Sequence, residues 1–208
     1  MNQFSATDSL RRGWKLFKER GWFLIGMTAL MLVFSWIVAA FAGFFGERDF
    51  GGFIGAVLNI ALSTLLSMGF TALMIRSYDS LESAEVNDLW HPRPFLKFLA
   101  GELLVGLIVI AGLFLLVVPG IIFMLMFLFV PYLIIDKEIG PIEAMKESAR
   151  ITRGYKWELF LLVLLVFVLN VFGTLALLVG LLVSIPVTTL ALVHTYRTLE
   201  LKAGQPII

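Results

Sequence analysis

The sequence predicts an all-α polytopic membrane protein, with six transmembrane helices arranged as three hairpins and cytoplasmic amphipathic helices beside them. Three observations predict it. Hydrophobic residues make up 60% of the 208, against roughly 45–50% in soluble domains, and the mean hydropathy is +0.96. The charged residues, 15% of the chain, cluster between long apolar stretches instead of scattering through them. When those stretches are threaded as successive crossings, fifteen of the sixteen lysines and arginines fall on one side and only Arg48 falls on the other. An excess of that kind marks the cytoplasmic side, so both ends of the chain are expected in the cytoplasm.

A crossing needs about 20 apolar residues to span roughly 30 Å of hydrocarbon. The first lies at about 22–45. It is too long for the apolar region of a signal peptide, so the span is expected to be retained although Ala40-Phe41-Ala42 resembles a cleavage site. A loop with Glu47, Arg48 and Asp49 leads to the second span, about 51–75. Residues 98–135 contain no lysine or arginine and one acid, Glu102. As one helix they would reach roughly 57 Å, so the chain is expected to fold back at Pro119-Gly120, giving spans at about 98–118 and 120–135. Residues 157–198 are again too long for one crossing. Gly180 is the expected turn and Pro186 a second breaker, giving spans at about 157–179 and 181–198.

Two amphipathic helices are expected at the membrane surface. In residues 7–20, Leu10, Trp14 and Phe17 share one face, while Arg11, Arg12, Lys15, Lys18 and Arg20 cover the other. In residues 141–153, Pro141 suits the first helical position and Gly154 the position past the end. Ile142, Met145, Ala149 and Thr152 form the expected apolar face there, with Glu143, Lys146, Glu147, Arg150 and Arg153 around it. The two regions share a weak repeat: Arg12-Gly13-Trp14-Lys15 matches Arg153-Gly154-Tyr155-Lys156. Likewise the spacing Thr71, Tyr78, Leu81 matches Thr189, Tyr196, Leu199.

The second span carries Gly51, Gly55, Asn59, Ser63, Ser67 and Thr71, a small or polar residue every four positions. Such a stripe lets helix backbones approach and hydrogen-bond; lining a solute path is the other reading. Asn170 and Thr174 repeat the spacing in the fifth span, as do Ser184 and Thr188 in the sixth. Arg11, Arg12, Lys15, Lys146, Arg150 and Arg153 are the candidate contacts for anionic headgroups. His91 and His194 have no second ligand at metal-binding spacing, and there is no cysteine, so no metal site and no cofactor are expected. No nucleophile elbow, zinc-protease helix or phosphate-binding glycine loop is present, and no large basic surface points to nucleic acid.

Pro119-Gly120-Ile121-Ile122, Val130-Pro131-Tyr132-Leu133-Ile134, Asp136 and Gly140 to Ser148, continued by Thr152-Arg153-Gly154 and Trp157, form a connected signature. It resembles that of a bacterial and archaeal family of uncharacterised multi-spanning membrane proteins, related to the membrane domain attached to some glycerophosphoryl diester phosphodiesterases. Ile185-Pro186-Val187 and Tyr196-Arg197 fit the same pattern. The resemblance implies six spans and a prokaryotic inner membrane. In the fused relatives catalysis belongs to a separate soluble barrel, so it implies no phosphodiesterase activity here. The signature also has a physical reading: Pro119-Gly120 sets a turn, Pro131 kinks the fourth span, and Gly140-Pro141 starts the surface helix.

The functional expectation is a non-enzymatic integral membrane protein that binds anionic lipid or a membrane-protein partner, a second copy included, as an accessory or organising component. The alternative is a small facilitator for an uncharged or lipid-like solute.

Overall fold

The computed structural model describes residues 5–44, 50–80, 84–89, 94–176 and 179–204. Nine α-helices are formed among them: α1 (Ala6–Glu19), α2 (Gly21–Phe44), α3 (Phe50–Asp79), α4 (Phe95–Leu115), α5 (Val117–Met126), α6 (Val130–Lys137), α7 (Pro141–Ile151), α8 (Lys156–Leu175) and α9 (Leu181–Gly204), with a 3-10 turn at Val86–Leu89. The described residues contain no strand.

Five segments are long and apolar enough to cross a membrane: Gly21–Phe41, Gly52–Asp79, Phe95–Leu115, Val117–Lys137 and Lys156–Leu175. The expected sixth, at 181–198, is not among them. The reason lies in its composition. α9 carries Ser184, Pro186, Thr188, Thr189, His194, Thr195 and Arg197, and protein surrounds much of it. α1, α2, α3, α7 and α8 all pack on it, and Pro186, Val187, Leu190, Ala191, Val193, Tyr196 and Leu199 are buried. A helix enclosed by other helices need not be apolar all round, because its hydroxyls can bond to protein.

The third and fourth crossings reverse earlier than Pro119-Gly120. α4 ends at Leu115, and Leu116 alone, extended at φ −164° and ψ 147°, separates it from α5. Pro119 instead sits in the first turn of α5, where its missing N–H is one the helix leaves unpaired anyway. Gly120 serves close approach: a Cβ there would lie 2.7 Å from the Leu113 backbone nitrogen, and one on Gly112 would lie 3.0 Å from the Gly120 Cα. The fourth crossing is interrupted where Pro131 predicts a kink. α5 stops at Met126 and α6 starts at Val130. Half of its apolar window is buried, against 17–28% in the other four, so this broken crossing is the most enclosed.

α8 and α9 meet tip to tip through glycine, as the turn at Gly180 predicts. A Cβ on Gly180 would lie 2.7 Å from the Gly173 Cα. Pro186 does not act as a breaker; α9 runs through it. α3, at 30 residues, is about 45 Å long, so its last turns, with Arg76 and Asp79, project past a bilayer's hydrocarbon. The loop holding Glu47, Arg48 and Asp49, and also Leu81 and His91, lie outside the described residues.

The buried faces of α1 and α7 overlap the apolar ones read from spacing only in part: Phe17 and Thr152 are buried and Leu10, Met145 and Ala149 pack on the core, whereas Trp14 and Ile142 do not. α1 buries Ala6, Ser9, Gly13, Leu16 and Phe17, while Trp14 remains 45% exposed. α7 buries Ala144, Ser148 and Ile151, with Thr152 just past its end, and leaves Ile142 exposed. In each case small or hydroxyl-bearing residues join large apolar ones (Leu16 and Phe17 in α1, Ile151 in α7) in the seat, because the groove between packed helices admits small side chains and offers carbonyls to bond.

Candidate functional site

α1 is fixed to α9 along that strip. The Ser9 and Thr195 hydroxyls lie 3.0 Å apart. One helical turn on, a Cβ at Gly13 would collide with the Val187 carbonyl oxygen and would stand 3.0 Å from the Ala191 nitrogen. Seating this face turns Arg11, Arg12 and Lys15 outward, all exposed, and no ion pair engages them among the described residues. Lys18 stands 5.6 Å from the Trp14 ring centroid, and Trp14 stacks on Phe17. The result is a basic ridge with an exposed tryptophan beside it.

Apart from the Glu147–Arg150 pair, which helical spacing predicts, sequence reasoning did not foresee an ionic network that ties the ends of α3, α6, α7 and α9 together. Arg197 sits at its centre. It donates to Asp136 through Nη1 at 2.7 Å and Nη2 at 2.8 Å, to Asp79 through Nε at 3.1 Å, and reaches Glu200 at 3.3 Å. The Tyr196 hydroxyl donates to the same Asp136 at 2.7 Å. Lys137 extends the chain from Glu200 (2.8 Å) to Glu147 (3.5 Å), and Glu147 continues it to Arg150. Arg150 Nη1 finishes on the Ala203 carbonyl at 2.8 Å. Hydrogen bonding from Arg150 holds the Glu147 carboxyl below the ordinary carboxylate range, and the Arg150 guanidinium is raised in turn. The signal was present in the sequence as opposite charges at the polar ends of separate apolar helices, but nothing in it says which ends meet. Arg76, Asp79, Asp88, Asp136, Lys137 and Glu138 line a cavity of about 510 Å³ beside this network.

The candidate headgroup contacts are therefore not alike. Arg150 is engaged by Glu147 and α9, whereas no ion pair engages Lys146 on the same helix or Arg153 just past its end among the described residues. Arg11, Arg12 and Lys15 form the ridge on α1.

α7 also repairs the broken crossing. The turn at residues 127–129 leaves the Met126 carbonyl and the Phe129 amide without helical partners, which is tolerated at membrane depth only if protein satisfies them. The Ser148 hydroxyl donates to the Met126 carbonyl at 2.8 Å and lies 3.3 Å from the Phe129 amide nitrogen, which donates to it. Thr152 Oγ1 stands 3.3 Å from the same carbonyl.

Within the stripe on α3, Ser63 donates to the Asn59 carbonyl and Thr71 to the Ser67 carbonyl, each bonding its own helix. Gly55 is buried, and the surroundings of Gly51 lie outside the described residues. The apolar cavity between α2, α3 and the 3-10 turn is lined from α3 by Leu62, Leu65 and Leu66, not by the stripe. In α8, Thr174 bonds back to the Asn170 carbonyl, whereas Asn170 reaches across to α9: Ser184 donates to its Oδ1 at 2.8 Å and its Nδ2 lies 3.4 Å from Thr188. The repeated tyrosines play parallel parts. Tyr78 hydrogen-bonds His194 of α9 at 2.6 Å and Tyr196 bonds Asp136 of α6, so each joins its helix to another.

Among known sequence families, one described as "Protein of unknown function (DUF975)" matches residues 99–203. That segment runs from α4 to the end of α9 and includes the broken crossing, its hydroxyl plug and Arg197. No curated protein and no solved structure matches the chain.

Proposed function

The chain belongs to the DUF975 family of proteins of unknown function, and we propose that it is a non-enzymatic integral membrane protein that holds anionic lipid at one face, as an accessory or organising component. The observation that carries this reading is the ridge of Arg11, Arg12 and Lys15 on a helix locked to the bundle by Ser9 and Gly13. Each basic residue near an anionic surface contributes about 1 kcal/mol. A helix that is already seated loses little freedom when lipid binds it.

The reading includes a topology. α9 is the sixth crossing, shielded from lipid by its neighbours, and the basic ends of the helices face the cytoplasm of a prokaryotic cell. It also includes kinship with the membrane domain fused to some glycerophosphoryl diester phosphodiesterases, on the strength of the Pro119-Gly120 to Trp157 signature. A partner protein or second copy would engage the same face.

Native mass spectrometry of the protein released from nanodiscs made with native lipids tests the reading. Retention of anionic lipid, or of a partner subunit, is the expected result. A bare chain overturns it and favours the facilitator, for which solute flux into liposomes with and without Asn59→Leu is the measurement.

A further inference from the structure

From the cleft where α1 overhangs the α8–α9 hairpin, we infer a binding site for a single phospholipid with an anionic headgroup, its acyl chain lying between α8 and α9 and its phosphate at Arg11. This inference deepens the proposed function and rests on it.

The cleft encloses about 550 Å³, within the range of small-molecule sites. Leu169 and Phe172 form one wall, and Val183 and Val187 the other. The Gly173–Gly180 contact closes its far end. From Gly180 to Val187 the cleft follows α9 for about 10 Å. Ser184 is the one hydroxyl in the lining, and its proton is already given to Asn170. That leaves Arg11 as the only charged group in the lining, with Trp14 beside it.

An apolar slot with one cation at its edge fits one kind of occupant. A neutral apolar molecule would leave the guanidinium unused, and a soluble anion would leave the walls bare. An anionic phospholipid satisfies both, and tryptophan beside the cation is the usual companion of a headgroup region. The seating of Gly13 on Val187 explains why α1 lies close enough to roof the cleft: any side chain at position 13 would lift the helix away.

The experiment is photo-crosslinking in nanodiscs with phosphatidylglycerol carrying a diazirine on its acyl chain, compared with phosphatidylcholine carrying the same chain. Mass mapping then locates the adducts. Phosphatidylglycerol is expected to label residues 169–187 several-fold more than phosphatidylcholine. Arg11→Gln should bring it down to the phosphatidylcholine level, Lys156→Gln should leave it unchanged, and Val183→Phe should lower labelling by both lipids. Labelling by phosphatidylglycerol that concentrates on other helices overturns the site while leaving anionic-lipid binding standing. Equal labelling by both lipids everywhere overturns both. Equal loss in Arg11→Gln and Lys156→Gln also overturns the site, because bulk charge would then account for the preference.

Discussion

Arg197 grips Asp136 with two parallel hydrogen bonds, Nη1 to Oδ2 at 2.7 Å and Nη2 to Oδ1 at 2.8 Å, and so ties α9 to the end of the broken crossing. Their side chains are 23% and 18% exposed. At that degree of enclosure a two-pronged contact is more than a surface ion pair. Lysine keeps the charge but cannot span both oxygens while also reaching Asp79. Arg197→Lys should therefore cost about 1–3 kcal/mol, seen as a lower Tm in detergent, and Arg197→Ala should cost more. An unchanged Tm in Arg197→Lys would mean that charge alone holds the helices together.

The hydroxyl plug predicts a second effect. Ser148→Ala removes the acceptor for the Phe129 amide and the nearer hydroxyl donor to the Met126 carbonyl. Leaving a buried amide unpaired costs about 1–3 kcal/mol. Hydrogen exchange at Phe129 should accelerate more than exchange in α2, and Tm should fall. Uniform acceleration across the bundle would instead mark a global loss of stability with no local origin at the break.

Glycines give a paired test. Gly13→Ala drives a methyl into the Val187 carbonyl, and Gly69→Ala does the same at Leu89. Each should destabilise by about 1–3 kcal/mol through overpacking. Gly26 has nothing within 4 Å of a Cβ, so Gly26→Ala should be neutral or stabilising by up to about 1 kcal/mol. Thermal melts of the three variants decide it. Equal effects would remove the distinction between seated and open glycines.

The Glu147–Arg150 contact carries a pH dependence of definite sign. The folded state lowers the Glu147 pKa, so its contribution is present above the ordinary carboxylate range and is lost as pH falls through the lowered value. The Tm difference between the wild type and Glu147→Gln should accordingly shrink on acidification from pH 7 to about pH 3, across the range where glutamate titrates. A constant gap over that interval would refute the assignment. Arg150 is half exposed, so solvent screening keeps the gap small at any pH.

Hydropathy revealed the five apolar crossings and the break at Pro131 because both depend on local chemistry: apolar length in one case, a missing N–H in the other. The sequence also led to α9 being counted as a sixth crossing, and α9 is not among the segments long and apolar enough to be one. Thr188, Thr195 and Tyr196 are buried against protein, and a hydropathy sum cannot tell protein from lipid as a solvent. The faces of α1 and α7 were read in part: Phe17 and Thr152 are buried as expected and Leu10, Met145 and Ala149 pack on the core, but the seats also include small residues that spacing of apolar residues does not mark. Ser9, Gly13, Ser148 and Thr152 are buried because they are small or can bond to carbonyls, while Trp14 and Ile142 stay outside. The turn assigned to Pro119-Gly120 came three residues late, since proline is as acceptable in the first turn of a helix as just before it. The basic ridge was legible residue by residue; its footing on α9 was not.

The gap at residues 127–129 is closed by a hydroxyl nineteen positions downstream of Phe129. Ribosomes add about 5–20 residues per second, so Ser148 is made on the order of one to four seconds after Phe129. Until α7 docks, the Met126 carbonyl and the Phe129 amide must be sheltered by water or by the insertion machinery. Maturation of the fourth crossing is therefore deferred to the arrival of α7, and a chain truncated between Phe129 and Ser148 would display an unfinished helix to whatever quality control surveys the bilayer.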